Sequence, residues 1–408
     1  MPSAQSTFAK KVLFSEGFQQ NPYPAYQRFL EEGPIHYIDW GNGMWAAFSY
    51  AECTAILKDP RFSAKRTGAF LLALPEEQRS QFTELAHLLS LWMLFIDAPA
   101  HSRLRKLMNK GFSPAVVESL RPQIEAIVDR MLEPLRRASE AELMHEIAHP
   151  LPVRVIAEML GIPDTMQEQL VEWSNAIATF FGSPRRTLEQ IRSAQQAALA
   201  LTKYFREVVP KRRQQKGDDL ISLLLKIEED GEVLTEEELY AQCVMLLFGG
   251  HETTRNLIGN GMYTLLRHPE ESSKLREHAG MIRTAVEELL RYESPVQNTA
   301  RIAKEEMDIG DVRLHQGDVI GVMLGSANRD PQQFQEPGRL DLSRLNNAHL
   351  AFGAGPHFCI GNQLARLEAQ VAILKMVQEF PRMRSTGKPP EWAPNFSLRG
   401  LKDLPVSL

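Results

Sequence analysis

The sequence predicts a mainly α-helical fold with small β-sheets. Helical spacing of apolar residues dominates two parts of the chain, at about 66–291 and 355–380. Short runs of alternating apolar and polar residues between turns predict strands in three further parts, at about 34–65, 300–325 and 385–408. No internal repeat, low-complexity tract or linker divides these parts, so we expect them to pack as one unit.

The composition is that of an ordinary globular chain, with 408 residues, 43% of them hydrophobic, and a net charge of −5. We expect a single domain over residues 1–408. The charge gives no general attraction to nucleic acid or to an anionic membrane. No run of about 18 apolar residues occurs, and the N-terminal run at 12–14 is too short for a signal peptide. The sequence therefore predicts a cytoplasmic protein with no nucleic-acid or membrane partner.

The three cysteines, Cys53, Cys243 and Cys359, are too few and too far apart for a disulfide framework. No second cysteine lies near Cys359 in the sequence, so zinc-ribbon and iron–sulfur sites would lack ligands there. Two readings of Cys359 stay open at this point, a buried structural cysteine and a single thiolate ligand.

The neighbours of Cys359 favour the thiolate. Apolar residues recur with helical spacing after it, at Leu364, Leu367, Val371 and Leu374, which puts Cys359 at a helix N-terminus. Free N–H groups and the positive end of the helix dipole favour a thiolate there. Glycines at positions 353, 355 and 361 allow tight turns and leave room for a planar cofactor beside the sulfur.

Phe352, Gly355, Cys359 and Gly361 together complete the pattern F-x-x-G-x-x-x-C-x-G. Random placement of this composition would produce the pattern with a probability of roughly 5 in 10,000. In this motif the chain resembles the cytochrome P-450 family of haem-thiolate monooxygenases, and the resemblance runs from about residue 22 to the end. It implies that haem b (iron protoporphyrin IX) is bound, with Cys359 as the axial thiolate ligand of the metal.

A long helix is predicted upstream of that motif. It begins at a capping box formed by Thr235 and Glu238 and ends at His268, before a proline, after about 33 residues or roughly 50 Å. An adjacent glycine pair at 249–250 lies in its apolar middle, and we expect this pair to open the hydrogen-bond ladder locally.

The polar residues after the glycine pair form a second signature. Taken alone they could be a solvent-exposed helix face. Gly249, Gly250, Glu252 and Thr253 match the family's central-helix motif. The resemblance implies that Gly250 lies over the haem, and that Glu252 and Thr253 are the catalytic acid–alcohol pair that relays protons for the cleavage of dioxygen.

Two further sets of residues match family motifs. Glu288 and Arg291 form an E-x-x-R pair, for which the resemblance implies a structural role with Arg339 as the third member. The resemblance also implies that the haem propionates are bound by a set whose members would each resemble ordinary surface residues on their own: His101, Arg105, Arg301 and His357. Many relatives have arginine at the position of His357.

The resemblance implies a mostly helical fold with the haem between the long central helix and the helix after the cysteine. Its function would be a monooxygenase that activates dioxygen with two electrons from a separate ferredoxin-type donor and its reductase. Two alternatives are a haem-thiolate sensor or carrier without turnover and a peroxide-driven enzyme. The intact Glu252 and Thr253 pair favours the monooxygenase.

The substrate is expected to be a hydrophobic small molecule that is hydroxylated or epoxidised. Four segments that line the pocket in relatives are apolar here, namely 70–95, 177–184, 294–298 and 395–400, although the first could equally be core. A basic patch for an acidic ferredoxin is expected from Arg103, Lys106, Lys110 and Arg366; the alternative is that these are ordinary solvated charges.

Overall fold

The computed structural model describes residues 11–39, 43–68, 71, 74–183, 186–215, 217, 219–229, 234–387 and 389–408. Parts of the predicted segments lie outside these residues: 40–42 in the first strand region, 69–70, 72–73, 184–185, 216, 218 and 230–233 in the first helical region, and 388 in the last strand region. These gaps include 70 and 72–73 of the first pocket segment and 184 of the second.

Helices dominate the described chain, as predicted. In chain order they are α1 (Glu16–Gln20), α2 (Tyr23–Glu32), α3 (Tyr50–Lys58), α4 (Glu76–Arg79), α5 (Thr83–Ser90), α6 (Ala100–Gly111), α7 (Pro114–Ser119), α8 (Arg121–Leu132), α9 (Pro150–Met159), α10 (Gln167–Gly182), α11 (Leu188–Gln214), α12 (Leu220–Glu229), α13 (Glu236–Arg267), α14 (Pro269–Glu277), α15 (Ile282–Tyr292), α16 (Leu324–Ala327) and α17 (Asn362–Glu379). Among the described residues, no helix combines the length and apolar character that a membrane span requires.

The strands are short and form small sheets. They are β1 (Ile35–Ile38), β2 (Met44–Ala47), β3 (Phe62–Ser63), β4 (Glu140–Glu142), β5 (Thr299–Ala303), β6 (Met307–Ile309), β7 (Val312–Leu314), β8 (Val319–Val322), β9 (Arg384–Ser385) and β10 (Pro405–Ser407). One sheet has the order β1-β2-β8-β5-β3, in which only β2 and β8 run parallel. The others are β4-β10-β9 and the hairpin β6-β7.

The central helix α13 confirms the long-helix prediction. Thr235 is its N-cap and forms a reciprocal capping box with Glu238, and His268 is its C-cap. The helix packs against α9, α10, α11, α15 and α17, so most of its length is buried. The helix runs unbroken through the glycine pair at 249–250, where a local opening of the hydrogen-bond ladder stays a prediction. Neighbouring helices pack against α13 on several sides. Within the helix, the Thr253 hydroxyl donates to the Gly249 carbonyl oxygen one turn earlier.

Helix α17, which follows Cys359, carries the predicted apolar face. Leu364, Leu367 and Val371 are buried and Leu374 is half-buried against the same core. The helix packs against α13 and α15. The loop before α17 is thereby fixed beside the centre of the molecule.

Candidate functional site

Cys359 lies in the loop just before helix α17, which confirms the prediction that it stands at a helix N-terminus. Its backbone N–H donates to the Phe352 carbonyl oxygen at 3.0 Å, and the Asn362 side-chain amide donates to the Cys359 carbonyl oxygen at 2.7 Å. Gly355 has a φ of 69°, and a Cβ there would collide with the backbone carbonyl oxygen of Leu57. These hydrogen bonds and the close approach of Leu57 therefore fix the conformation of the loop.

Open space borders both this loop and the central helix. A Cβ added at Gly353 or Gly361 would have no atom within 4 Å, and the same holds for Gly249 in helix α13. Gly249 is exposed although the preceding residues 241–248 are all buried. A gap beside a cysteine loop and a gap in an otherwise packed helix are what a flat cofactor requires, so these residues fit the haem that the resemblance implies.

The electrostatics of Cys359 differ in part from the prediction. Burial raises the pKa of the Cys359 thiol, while the N–H of Gly361 and the charges of Arg105 and Arg366 lower it by less. The helix N-terminus therefore favours the thiolate, as expected, but it does not outweigh burial. Coordination to a metal ion would remove this barrier, because a coordinating thiol is deprotonated by the metal charge.

His101 and Arg105 both point from helix α6 toward the cysteine loop. The buried His101 ring lies 4.0 Å from the His357 ring, measured between centroids. Arg105 Nη1 donates to the Phe358 carbonyl oxygen at 2.6 Å. Residues some 250 positions apart in the sequence thus meet at the loop.

Arg301 on strand β5 completes this group of cations and imidazoles. It is buried, which lowers its pKa to about 10, and Asp97 opposes the shift. Burial, His101, Arg301 and Arg66 lower the pKa of His357 to about 3, with Asp97 again opposing them. Arg66 was not assigned from the sequence, and no local motif marks it. Buried and half-buried cations gathered near Asp97 fit the two propionates of a haem.

Thr253 and Glu252 make separate contacts on helix α13. Thr253 Oγ1 donates to the Gly249 carbonyl oxygen at 2.7 Å, and Glu252 Oε1 accepts a hydrogen bond from Arg255 Nη1 at 2.7 Å. Sequence analysis missed Arg255, although its spacing of three from Glu252 is the signal of a helical ion pair. A Cβ at Gly250 would be in ordinary van der Waals contact with Ile156 at 3.7 Å, whereas one at Gly249 would meet no atom within 4 Å. The place of Gly250 over the haem stays a prediction.

Glu252 and Arg255 line a cavity of about 410 Å³, together with His149, Asn175 and Thr179. Burial lowers the pKa of His149 to about 4, and the charge of Arg255 adds to this effect. Glu252 Oε2 is buried without a protein hydrogen-bond partner. A cavity of this size with these polar side chains in its lining accommodates water, which could bond to that oxygen.

The E-x-x-R pair is fully buried, but its third member is not the predicted one. Arg291 donates to both carboxylate oxygens of Glu288, at 2.7 and 2.8 Å. Arg344, rather than Arg339, reaches the same carboxylate at 3.1 Å. The Arg339 side chain is 67% exposed and pairs with Glu336, and only its carbonyl oxygen accepts from Arg291. The loop folds back so that its last arginine, five residues later, meets the pair.

Aromatic residues cluster next to the open turn of the central helix. Phe181 lies 5.2 Å from Phe248 and 5.5 Å from Phe95, and Trp92 lies 5.6 Å from Phe248, all between ring centroids. Phe248 directly precedes Gly249. We call these four residues the aromatic cluster.

Much of the first predicted pocket segment is core, as the alternative reading held. Phe82, Leu85 and Leu89 are each at most 2% exposed within the main hydrophobic core. These residues recur with helical spacing, and their side chains point to the interior of the protein. The pocket assignment was therefore wrong for these three residues.

The expected basic patch is reduced by internal ion pairs. Arg103 pairs with Glu238, and Arg366 pairs with Glu287 at 2.6 Å. Lys106 and Lys110 are exposed on helix α6. Arg103 and Arg366 thus have acidic partners within the protein.

The chain is similar to known proteins over nearly its whole length. A family model described as cytochrome P-450 matches residues 78–398. The biotin biosynthesis cytochrome P-450 of Bacillus subtilis (strain 168) is 40% identical over 406 residues, covering 98% of this chain and 99% of that protein. The cytochrome P-450 monooxygenase PikC of Streptomyces venezuelae is 39% identical over 399 residues, covering 96% and 92%.

The fold is also similar to that of a solved structure. The crystal structure of P-450 BioI in complex with acyl carrier protein ligated to hexadec-9Z-enoic acid superposes with a TM-score of 0.90. The two sequences are 39% identical, and the match covers 97% of this chain and 100% of that one.

Proposed function

This chain belongs to the cytochrome P-450 family of haem-dependent monooxygenases, and we propose that Cys359 supplies the thiolate ligand of its haem b. The observation that carries the proposal is the convergence of His101, Arg105 and His357 on the loop of Cys359. These groups bring positive charge and hydrogen-bond donors to a place where one acid, Asp97, opposes them.

His101, Arg105, Arg301 and His357 hold the propionates in this proposal, and the open backbone at Gly249 admits the face of the porphyrin. Haem b, when bound, activates dioxygen with two electrons and delivers one oxygen atom to the substrate. The protein residues bind the cofactor, orient the substrate and move protons.

Thr253 and Glu252 would carry the protons. The Thr253 hydroxyl is near the open face of helix α13, because it bonds to the carbonyl oxygen of Gly249. Glu252 borders the 410 Å³ cavity, from which water can supply protons, and Arg255 holds one of its oxygens in place. Proton transfer from water through the carboxylate to the hydroxyl would require Glu252 to turn away from Arg255.

A long-chain acyl compound is the substrate class that we propose. A relative with 39% identity binds a hexadecenoic acyl group on its acyl carrier protein. Phe181 is the half-buried member of the aromatic cluster, and it offers this chain apolar surface next to Phe248, the residue before Gly249. Hydroxylation or epoxidation would use electrons from a ferredoxin-type donor and its reductase.

The test of the ligand is the spectrum of the reduced carbon monoxide complex. Wild type should show the red-shifted Soret band of thiolate-bound haem, and Cys359→His should lose it. Cys243→Ala is the matched control, since Cys243 is buried in helix α13 and should leave the band unchanged. A histidine-type spectrum in wild type would refute the proposal.

Turnover assays separate this function from its alternatives. Product formed with NADPH, reductase and ferredoxin supports the monooxygenase. Product formed only with hydrogen peroxide would favour the peroxide-driven enzyme, and substrate binding with no product under either condition would favour a sensor or carrier.

A further inference from the structure

Arg66 is a half-buried cation whose hydrogen bonds are all long. It follows strand β3, and its Nη1 donates to the carbonyl oxygens of Ala300 at 3.3 Å and Ala64 at 3.5 Å. Its Nη2 donates to Thr299 Oγ1 at 3.4 Å. Good N–H···O bonds measure about 2.7–3.2 Å, so the guanidinium is held weakly and has donors available for a better acceptor.

The surroundings of Arg66 differ on its two sides. On one side its guanidinium carbon lies 4.7 Å from the ring centroid of Phe95, a member of the aromatic cluster. On the other side stands Arg301, which directly follows Ala300, the residue whose carbonyl oxygen accepts from Arg66. Arg66 therefore lies where the apolar cluster meets the cationic group.

No carboxylate balances this charge within the part of the chain that the structure describes. None of the ion pairs among those residues includes Arg66. The acid of the region, Asp97, accepts hydrogen bonds from Ser63 Oγ at 2.6 Å and from the Ala64 N–H at 2.8 Å. Burial, with the like charge of Arg301, lowers the pKa of Arg66 to about 9. A half-buried cation beside another cation has lost part of its hydration, and an anion that joins it restores favourable electrostatics.

We infer that Arg66 binds a carboxylate at this junction. The planar fork of a guanidinium matches a carboxylate with two parallel hydrogen bonds, which lysine cannot reproduce. The carboxylate has two possible sources, a haem propionate or the acid group of a long-chain substrate. This inference rests on the proposed function and extends it by one residue.

The experiment compares holoprotein variants Arg66→Gln and Arg66→Lys with Arg329→Gln. Arg329 is the matched control, because it is also half-buried, lies over an aromatic ring (Tyr292, 3.8 Å) and donates to a backbone carbonyl oxygen. Two properties are measured for each variant: the rate of haem transfer to apomyoglobin, and the spin-state titration with palmitic acid and with methyl palmitate.

A propionate partner predicts that Arg66→Gln speeds haem transfer by about tenfold or more, with partial recovery in Arg66→Lys. A substrate partner predicts normal haem transfer, an affinity for palmitic acid about tenfold weaker, and unchanged affinity for the ester. If palmitic acid does not change the spin state of the wild-type haem, the rate of haem transfer alone tests the inference. If Arg66→Gln cannot be purified with haem, Arg66→Lys decides, with a smaller change of about threefold expected in one of the two measurements.

The inference is overturned if neither property changes more in the Arg66 variants than in Arg329→Gln. The reduced carbon monoxide spectrum is recorded for wild type and every variant. A thiolate-type spectrum together with unchanged haem transfer and titrations would refute the role of Arg66 and leave the proposed function standing. A histidine-type spectrum in wild type would refute the proposed function itself.

Discussion

Thr253 and Glu252 are neighbours in sequence, but their side chains lie in different surroundings. Thr253 bonds to the backbone of Gly249, where the central helix is open, and Glu252 borders the cavity with Arg255. In the described structure no hydrogen bond joins the two side chains. An acid and an alcohol separated in this way can be tested separately.

Thr253→Ala should retain substrate binding and electron consumption but release hydrogen peroxide. A positioned proton donor contributes about 10²–10⁴-fold to a step, so the fraction of electrons recovered in product should fall by about tenfold or more. The measurement is product and peroxide formed per NADPH. Thr254→Val is the control, since Thr254 is buried on the same helix turn and has no assigned role. Equal coupling in Thr253→Ala and wild type would show that another group supplies the protons.

At the scale of elements, buried charges join helix α15 to the loops around the haem site. Arg344 donates to Glu288 at 3.1 Å with 12% of its side chain exposed, whereas the exposed Arg339 pairs at the surface. The same substitution at each arginine therefore tests which one stabilises the buried Glu288–Arg291 pair: Arg339, as predicted from the sequence, or Arg344, as observed in the structure.

Arg344→Ala should lower the free energy of unfolding by about 1–3 kcal/mol, because a buried carboxylate loses one of its charged partners. Arg339→Ala should change it by at most about 1 kcal/mol, as expected for a surface ion pair. Denaturant unfolding of both holoprotein variants measures the difference. A larger loss in Arg339→Ala would restore the assignment made from the sequence.

Glu287 connects helix α15 to helix α17. It accepts hydrogen bonds from Arg366 at 2.6 and 2.9 Å and contacts His349 at 3.2 Å. Burial would raise the pKa of Glu287, but the bonds from His349 and Arg366 outweigh burial and lower it from 4.5 to about 2. A lowered pKa contributes stability that is complete above about pH 4.5 and is lost as the pH falls toward 2.

Glu287→Gln should therefore destabilise the holoprotein at pH 7 and flatten its acid dependence between about pH 4.5 and 2. The slope should decrease by up to about 1.4 kcal/mol per pH unit. Melting temperatures across this range provide the measurement, with the exposed Glu277→Gln as control. A wild-type slope in Glu287→Gln would show that the carboxylate is not held in its charged form by these partners.

At the scale of the whole molecule, proteins of this family take electrons from redox partners, and we propose a ferredoxin-type donor for this one. The protein carries a net charge of −5, so any attraction to an acidic ferredoxin must be local. Lys106 and Lys110 are exposed on helix α6, which also contributes Arg105 to the cysteine loop.

Charge reversal at Lys106→Glu and Lys110→Glu should slow haem reduction by ferredoxin severalfold at low salt. The difference from wild type should shrink as salt screens the interaction over a Debye length of about 10 Å at 0.1 M. Stopped-flow reduction measures the rate, and Lys203→Glu on helix α11 is the control. Wild-type rates at low salt would mean that the donor docks elsewhere.

Local patterns in the sequence determined much of this protein. The cysteine motif, the capping box of helix α13, the apolar face of helix α17 and the mainly helical fold all follow from residues within one or two turns of each other. Capping and helical periodicity are short-range effects, so they can be read without knowledge of the rest of the chain.

Only the tertiary structure decided which distant residues meet. It replaced Arg339 with Arg344, left open space beside Gly249, and placed Leu85 in the core. It also brought Arg66 to Arg301 across 235 positions. Such contacts depend on how buried surfaces pack and on how nearby charges interact. Residues far apart in the sequence give no local signal of this packing or of these interactions.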